Sequence, residues 1–121
     1  MVMKYISFIF IMSLIIVCAP GKSNQVKMVT KIRVLNNSEY FLKNVSLFSM
    51  SFNDLEPKAI SSYRVLKYNS LRDDPLIYTT VEGQNLALYL KIPQEMERST
   101  YIVDSIDMKY KVIHVSLQID P

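Results

Sequence analysis

The chain predicts an all-β domain, a single antiparallel two-sheet sandwich of about seven short strands, and three observations carry the prediction. Beyond residue 26, apolar residues recur with a period of two, and no stretch there sustains the 3.6-residue spacing of a helix. Turn-forming residues interrupt the pattern roughly every 8–14 residues. Each predicted strand offers one aliphatic face to bury, as two stacked sheets require.

Residues 1–21 are read separately, as a signal helix. Lys4 precedes the run Tyr5–Ala19, which holds only two serines as polar residues and no charge, and Pro20-Gly21 stops it. A membrane-spanning helix needs about 20 apolar residues, so the run reads as a secretory signal peptide removed after export. Ala19-Pro20-Gly21 supplies the small residues of a cleavage site. Two alternatives stand beside removal: an uncleaved anchor, and lipidation at Cys18, the cysteine that ends the run. The remaining domain, residues 22–121, would then lie in the periplasm, the cell envelope or outside the cell. It would touch a membrane only through the N-terminal segment. Cys18 is the one cysteine of the chain, so the exported domain has no disulfide and depends on packing.

The elements follow in order. In Lys27–Leu35, Met28, Thr30, Ile32 and Val34 share one face, and Lys27, Lys31 and Arg33 share the other. Asn36-Asn37-Ser38 is a turn. Asn44–Met50 forms the second strand, with apolar residues on both faces, and Phe52–Pro57 reads as a loop with apolar anchors. Ser61–Tyr68 is the third strand and Leu76–Val81 the fourth, entered through Pro75. Glu82-Gly83-Gln84 closes a hairpin, because glycine supplies the positive φ of a tight turn. Asn85–Ile92 then places Leu86, Leu88, Leu90 and Ile92 on one face. Pro93 ends it. Thr100–Ile106 and Lys111–Ile119 complete the set, the last turning Ile113, Val115, Leu117 and Ile119 inward.

Charge excludes some functions. The net charge of +3 includes Lys4 of the leader, and the remaining charges are spread singly among carboxylates, so no nucleic-acid partner is expected.

The strand count and the segment Ser99–Val103 resemble immunoglobulin-like and fibronectin-III-like sandwiches. In those folds a tyrosine near the start of the sixth strand bonds back to the connecting loop, and Tyr101 is the matching residue. The chain has no tryptophan and no cysteine pair, so it departs from true immunoglobulin domains. More broadly, it resembles small uncharacterised exported or lipoprotein β-sandwich proteins of Gram-negative bacteria. That resemblance covers most of the exported part and implies no activity.

No residue set points to catalysis or to a cofactor. His114 is the sole histidine, and Ser116 stands about 6.7 Å along the same strand face, too far for a nucleophile and its base. One histidine and one cysteine cannot build a zinc site. Asp73-Asp74, and Asp54 with Glu56, read as turn formers rather than calcium ligands. Asn36-Asn37-Ser38 and Asn44-Val45-Ser46 match the N-glycan acceptor pattern, and Asp104-Ser105-Ile106 resembles a bacterial O-glycosylation motif. The stronger signal is aromatic. Tyr89 beside Lys91, Tyr110 beside His114, and Tyr68 beside Arg64 lie off the aliphatic stripes, where tyrosine stacks on sugars or anchors proteins. The expected function is a non-enzymatic binding module for a protein or glycan, with Tyr68, Tyr89, Lys91, Tyr110 and His114 as its binding residues. The alternative is an inhibitor or accessory subunit docking on an exported enzyme or envelope complex, with Met28–Leu35 offered as an edge strand.

Overall fold

A computed structural model describes residues 29–121, so the leader, Cys18 and the expected first strand residues Lys27 and Met28 lie outside the described residues. The described elements are eight strands: β1 (Lys31–Asn36), β2 (Leu42–Leu47), β3 (Met50–Leu55), β4 (Arg64–Val65), β5 (Leu76–Val81), β6 (Gln84–Tyr89), β7 (Arg98–Asp107) and β8 (Val112–Ile119). They form two four-stranded sheets, ordered β4-β1-β7-β8 and β3-β2-β5-β6. The inward residues are those that alternation selects. Ile32 and Val34 of β1, Ile77 and Val81 of β5, and Tyr101 and Val103 of β7 are all buried in one core.

Three expectations are corrected. The strands number eight, because Phe52–Leu55 is strand rather than loop: the chain reverses at Phe48-Ser49, where Leu47 pairs with Met50. Both turn residues have positive φ, 52° and 65°. Such a hairpin favours asparagine and glycine, and a phenylalanine there is strained. Burial offsets the strain. The Phe48 ring is enclosed, 5.3 Å from the Tyr68 ring and 5.8 Å from that of Tyr101.

Secondly, the sandwich is not wholly antiparallel, since β1 runs parallel to β7 along its whole length, from Lys31↔Arg98 to Asn36↔Val103. A parallel neighbour requires a long crossover, and the whole second sheet lies between these two strands in sequence. This order also departs from the immunoglobulin arrangement, in which the first strand pairs with the second and the last three-stranded layer holds the third, sixth and seventh. Thirdly, the expected third strand, Ser61–Tyr68, shrinks to the two residues of β4, and the described part of the expected edge strand Met28–Leu35 is no edge, because β1 lies between β4 and β7.

Asn36 explains the crossing from one sheet to the other. Its buried amide donates to the carbonyls of Tyr40 (2.7 Å), Leu55 (3.0 Å) and Glu56 (3.1 Å), and its Oδ1 accepts from the Ser38 N–H and hydroxyl. One side chain thus ties the end of β1 to the start of the loop and the end of β3. A buried Asn36 is closed to any glycan, whereas Asn44, at a register break of β2, is exposed.

Candidate functional site

The two sheets meet edge above edge. On one side the short β4 lies over β3. On the other, β8 lies over β6 and the sheets part into a cleft of about 380 Å³. Leu88 and Leu90 line it from one sheet, Val115 and Leu117 from the other. These are the aliphatic stripes that alternation assigns to the core. Among the described residues their strands are edges, with no further strand beside them, and Ile92 and Ile119, the outermost of each stripe, are about half exposed.

Tyr89 and Lys91 also line the cleft, and Tyr89 is 71 % exposed. The Tyr101 hydroxyl donates to the Lys91 carbonyl, the bond back to the connecting loop that the sandwich resemblance implied. This bond pins the segment after β6 to β7 and so fixes one lip of the cleft. Burial pushes the Tyr101 phenol well above its ordinary value, which keeps it a donor at every ordinary pH.

The five expected binding residues do not share one surface. Tyr68 is half-buried and packs edge-on against Phe48, so it supports the turn beneath it. Tyr110 belongs to the β7–β8 turn, with its N–H held by Asp107 Oδ1 (3.2 Å) and the Lys109 ammonium 5.2 Å from its ring. His114 is exposed on the outer face of β8, opposite Ser105. Register places Tyr110 and His114 towards the end where β8 begins, and Tyr89 and Lys91 at the end where it finishes. Ser116 donates to Asp104 Oδ1 (3.2 Å) rather than pairing with His114. Among the described residues, no group of three potential metal ligands clusters. The bulge of β7 at Asp104 leaves Ser105 exposed.

The end of the sandwich where β7 begins is apolar at its rim. Tyr89, Ile92, Met96 and Ile119 are exposed there. Leu71, 97 % exposed, tops the loop that joins β4 to β5 at the same end. Asn69 organises that loop: its Oδ1 accepts from the Leu71 N–H, and its N–H donates to Asp73 Oδ2.

A polar cluster on the outer face of the first sheet escapes sequence reading altogether. Asp120, with its side chain only 5 % exposed, accepts at Oδ2 from the Tyr63 hydroxyl (2.6 Å) and the Thr100 hydroxyl (2.7 Å), and at Oδ1 from Gln118 (3.1 Å). Arg33 donates to Thr100 (2.9 Å) and lies 4.4 Å over the Tyr63 ring. Burial alone would raise the Asp120 carboxyl. The hydrogen bonds from Tyr63, Thr100 and Gln118, with Arg33 nearby, outweigh it and hold the carboxyl below its ordinary value. The same bond to Asp120 raises the Tyr63 phenol. These partners stand up to 57 positions apart, so no local motif announces them. Every acceptor is occupied, which suits a clasp more than a reactive site.

No family model matches the chain, and no curated protein matches it.

Proposed function

We propose that this chain is an exported, non-enzymatic interaction module that holds a protein or glycan partner at the cleft between β6 and β8 and against the apolar rim beside it. The observation that carries this reading is the cleft itself, a concave apolar surface with Tyr89 on its lip. A tyrosine with its ring in solvent and a rigid backbone beneath offers broad contact area at small entropic cost. Partners without nucleic acid, delivery to the envelope or the exterior, and a membrane link only through residues 1–21 all follow from the leader and the dispersed charge.

A second reading, an inhibitor or accessory subunit, draws on Leu71. A large aliphatic side chain raised on a hydrogen-bonded loop fits insertion into another protein's pocket. One experiment separates the two. A photoreactive residue is placed at position 89, 71 or 110 of the full chain in its native envelope. Under the first reading, position 89 yields a discrete adduct with a mass other than twice that of the exported chain itself. An adduct at position 71 alone favours the docking subunit, and adducts at position 110 alone, or at none, contradict both.

A further inference from the structure

The four sheet edges are guarded unequally. An exposed edge offers unpaired backbone groups to any other strand, and folded proteins blunt such edges with charge, brevity, proline or bulges. The β4/β3 side shows these devices. β4 has two residues, β3 carries Asp54 and two breaks in register against β2, and Arg64 reaches across to cap the Ser51 carbonyl. On the β6/β8 side the one register break lies in β7 and not in either edge strand. Gln84–Leu90 and Val112–Ile119 contain no charge and no proline, in a chain of which 21 % of residues are charged. β8 is also long, at 8 residues.

The open edge of β8 has a definite polarity. The Asp120 N–H donates to the Arg98 carbonyl of β7 (2.8 Å). Backbone groups alternate along a strand, so those of Ile113, Val115, Leu117 and Ile119 point away from β7 towards solvent. Their side chains face the cleft. A strand added at this edge meets four N–H and C=O pairs that are uncommitted among the described residues, and its own alternate side chains extend the cleft wall.

We propose that the strand added there is β8 of a second copy, antiparallel about a two-fold axis through Ser116. This register keeps inward residues opposite inward residues: Ile113 meets Ile119 of the second copy, and Val115 meets Leu117. On the outer face His114 meets Gln118, and Ser116 meets its own copy. No like charges oppose each other anywhere along the strand, which is what a self-paired edge requires. The pairing is isologous and therefore closed, so it removes the edge rather than propagating it. It joins two four-stranded sheets into one of eight and sets the two clefts mouth to mouth. The proposal rests on the strand edge and stands apart from the reading of the cleft as a binding site.

Ser116 supplies the test, because its side chain is exposed on the outer face and its substitution leaves the core intact. In the full chain carrying Cys18→Ser, Ser116→Cys under mild oxidation gives a disulfide-linked dimer, since facing residues of a non-hydrogen-bonded antiparallel pair lie about 4.5 Å apart between α-carbons. His114→Cys in the same background stays unlinked, its two copies being about 14 Å apart in this register. Ser116→Asp and Ser116→Lys each weaken the dimer roughly tenfold, and mixing the two restores it as a heterodimer. A wild-type chain with the mass of one copy at micromolar concentration overturns the proposal. So does equal cross-linking of the two cysteine variants, or a dimer indifferent to both charges. A monomer that still gives a foreign adduct at position 89 defeats the pairing while sparing the binding reading. A dimer without that adduct does the reverse.

Discussion

Asn36 shows how much of this fold rests on single polar groups. Its amide serves three carbonyls at once, so Asn36→Asp, almost identical in shape, would set a carboxylate oxygen against those carbonyls with no proton to offer. The expected loss is at least about 2 kcal/mol in urea unfolding, more than an exposed substitution costs. Ser99 is the opposite case. Its hydroxyl is buried on the inward face of β7 without a hydrogen-bond partner among the described residues, and such a group carries its desolvation cost uncompensated. Ser99→Ala should therefore raise stability by about 1 kcal/mol; a loss of that size would mean the hydroxyl has a partner. Neither role is visible in sequence. Asn36-Asn37-Ser38 announces a turn, but which carbonyls gather around the asparagine depends on the return of β3, nineteen positions on.

At the scale of the element, alternation served where strand ends were marked and failed where they were not. β5 matches its expected span, Leu76–Val81, because Pro75 opens it and Glu82-Gly83 closes it. The β2–β3 hairpin was illegible because Phe48-Ser49 has neither glycine nor asparagine, and only the tertiary burial of Phe48 makes that turn tolerable. Ser49 is exposed in the same left-handed region at φ 65°. Ser49→Gly should stabilise the protein by about 0.5–1 kcal/mol, read as a higher urea midpoint at unchanged slope. The candidate site was legible by halves. In sequence Tyr89 and Lys91 stand off the aliphatic stripe, yet the cleft they border is walled by the stripes themselves. Whether a stripe is covered depends on strand order, and β8 and β6 become neighbours at one side only through pairings made across the whole chain. Tyr110 and His114 share a parity with the expected patch but sit near the other end of β8, a separation that parity does not register.

For the whole molecule, the Asp120 clasp links β1, the segment before β4, β7 and the chain after β8, so its titration should be felt globally. The folded-state carboxyl titrates below its ordinary 3.8, so its contribution is complete above that value and is lost as pH falls through the lower, folded one. At the alkaline end the sign reverses. Tyr63 and Tyr101 are raised above 10.0, so their contribution is present below 10.0 and lost as pH rises through their folded values. Asp120→Asn should flatten the acid limb of the stability profile, measured by urea unfolding between neutral and strongly acid pH; an unchanged limb would remove Asp120 from that role. The larger claim is that the side of the sandwich bearing β6 and β8 is its working side, covered in use by another strand or partner. Amide hydrogen exchange of the protein taken from its native envelope tests this at the groups concerned. Protection at the outward N–H groups of Ile113, Val115, Leu117 and Ile119, lost in Ser116→Asp, is the predicted result; exchange at these four as fast as in an unstructured chain would contradict it.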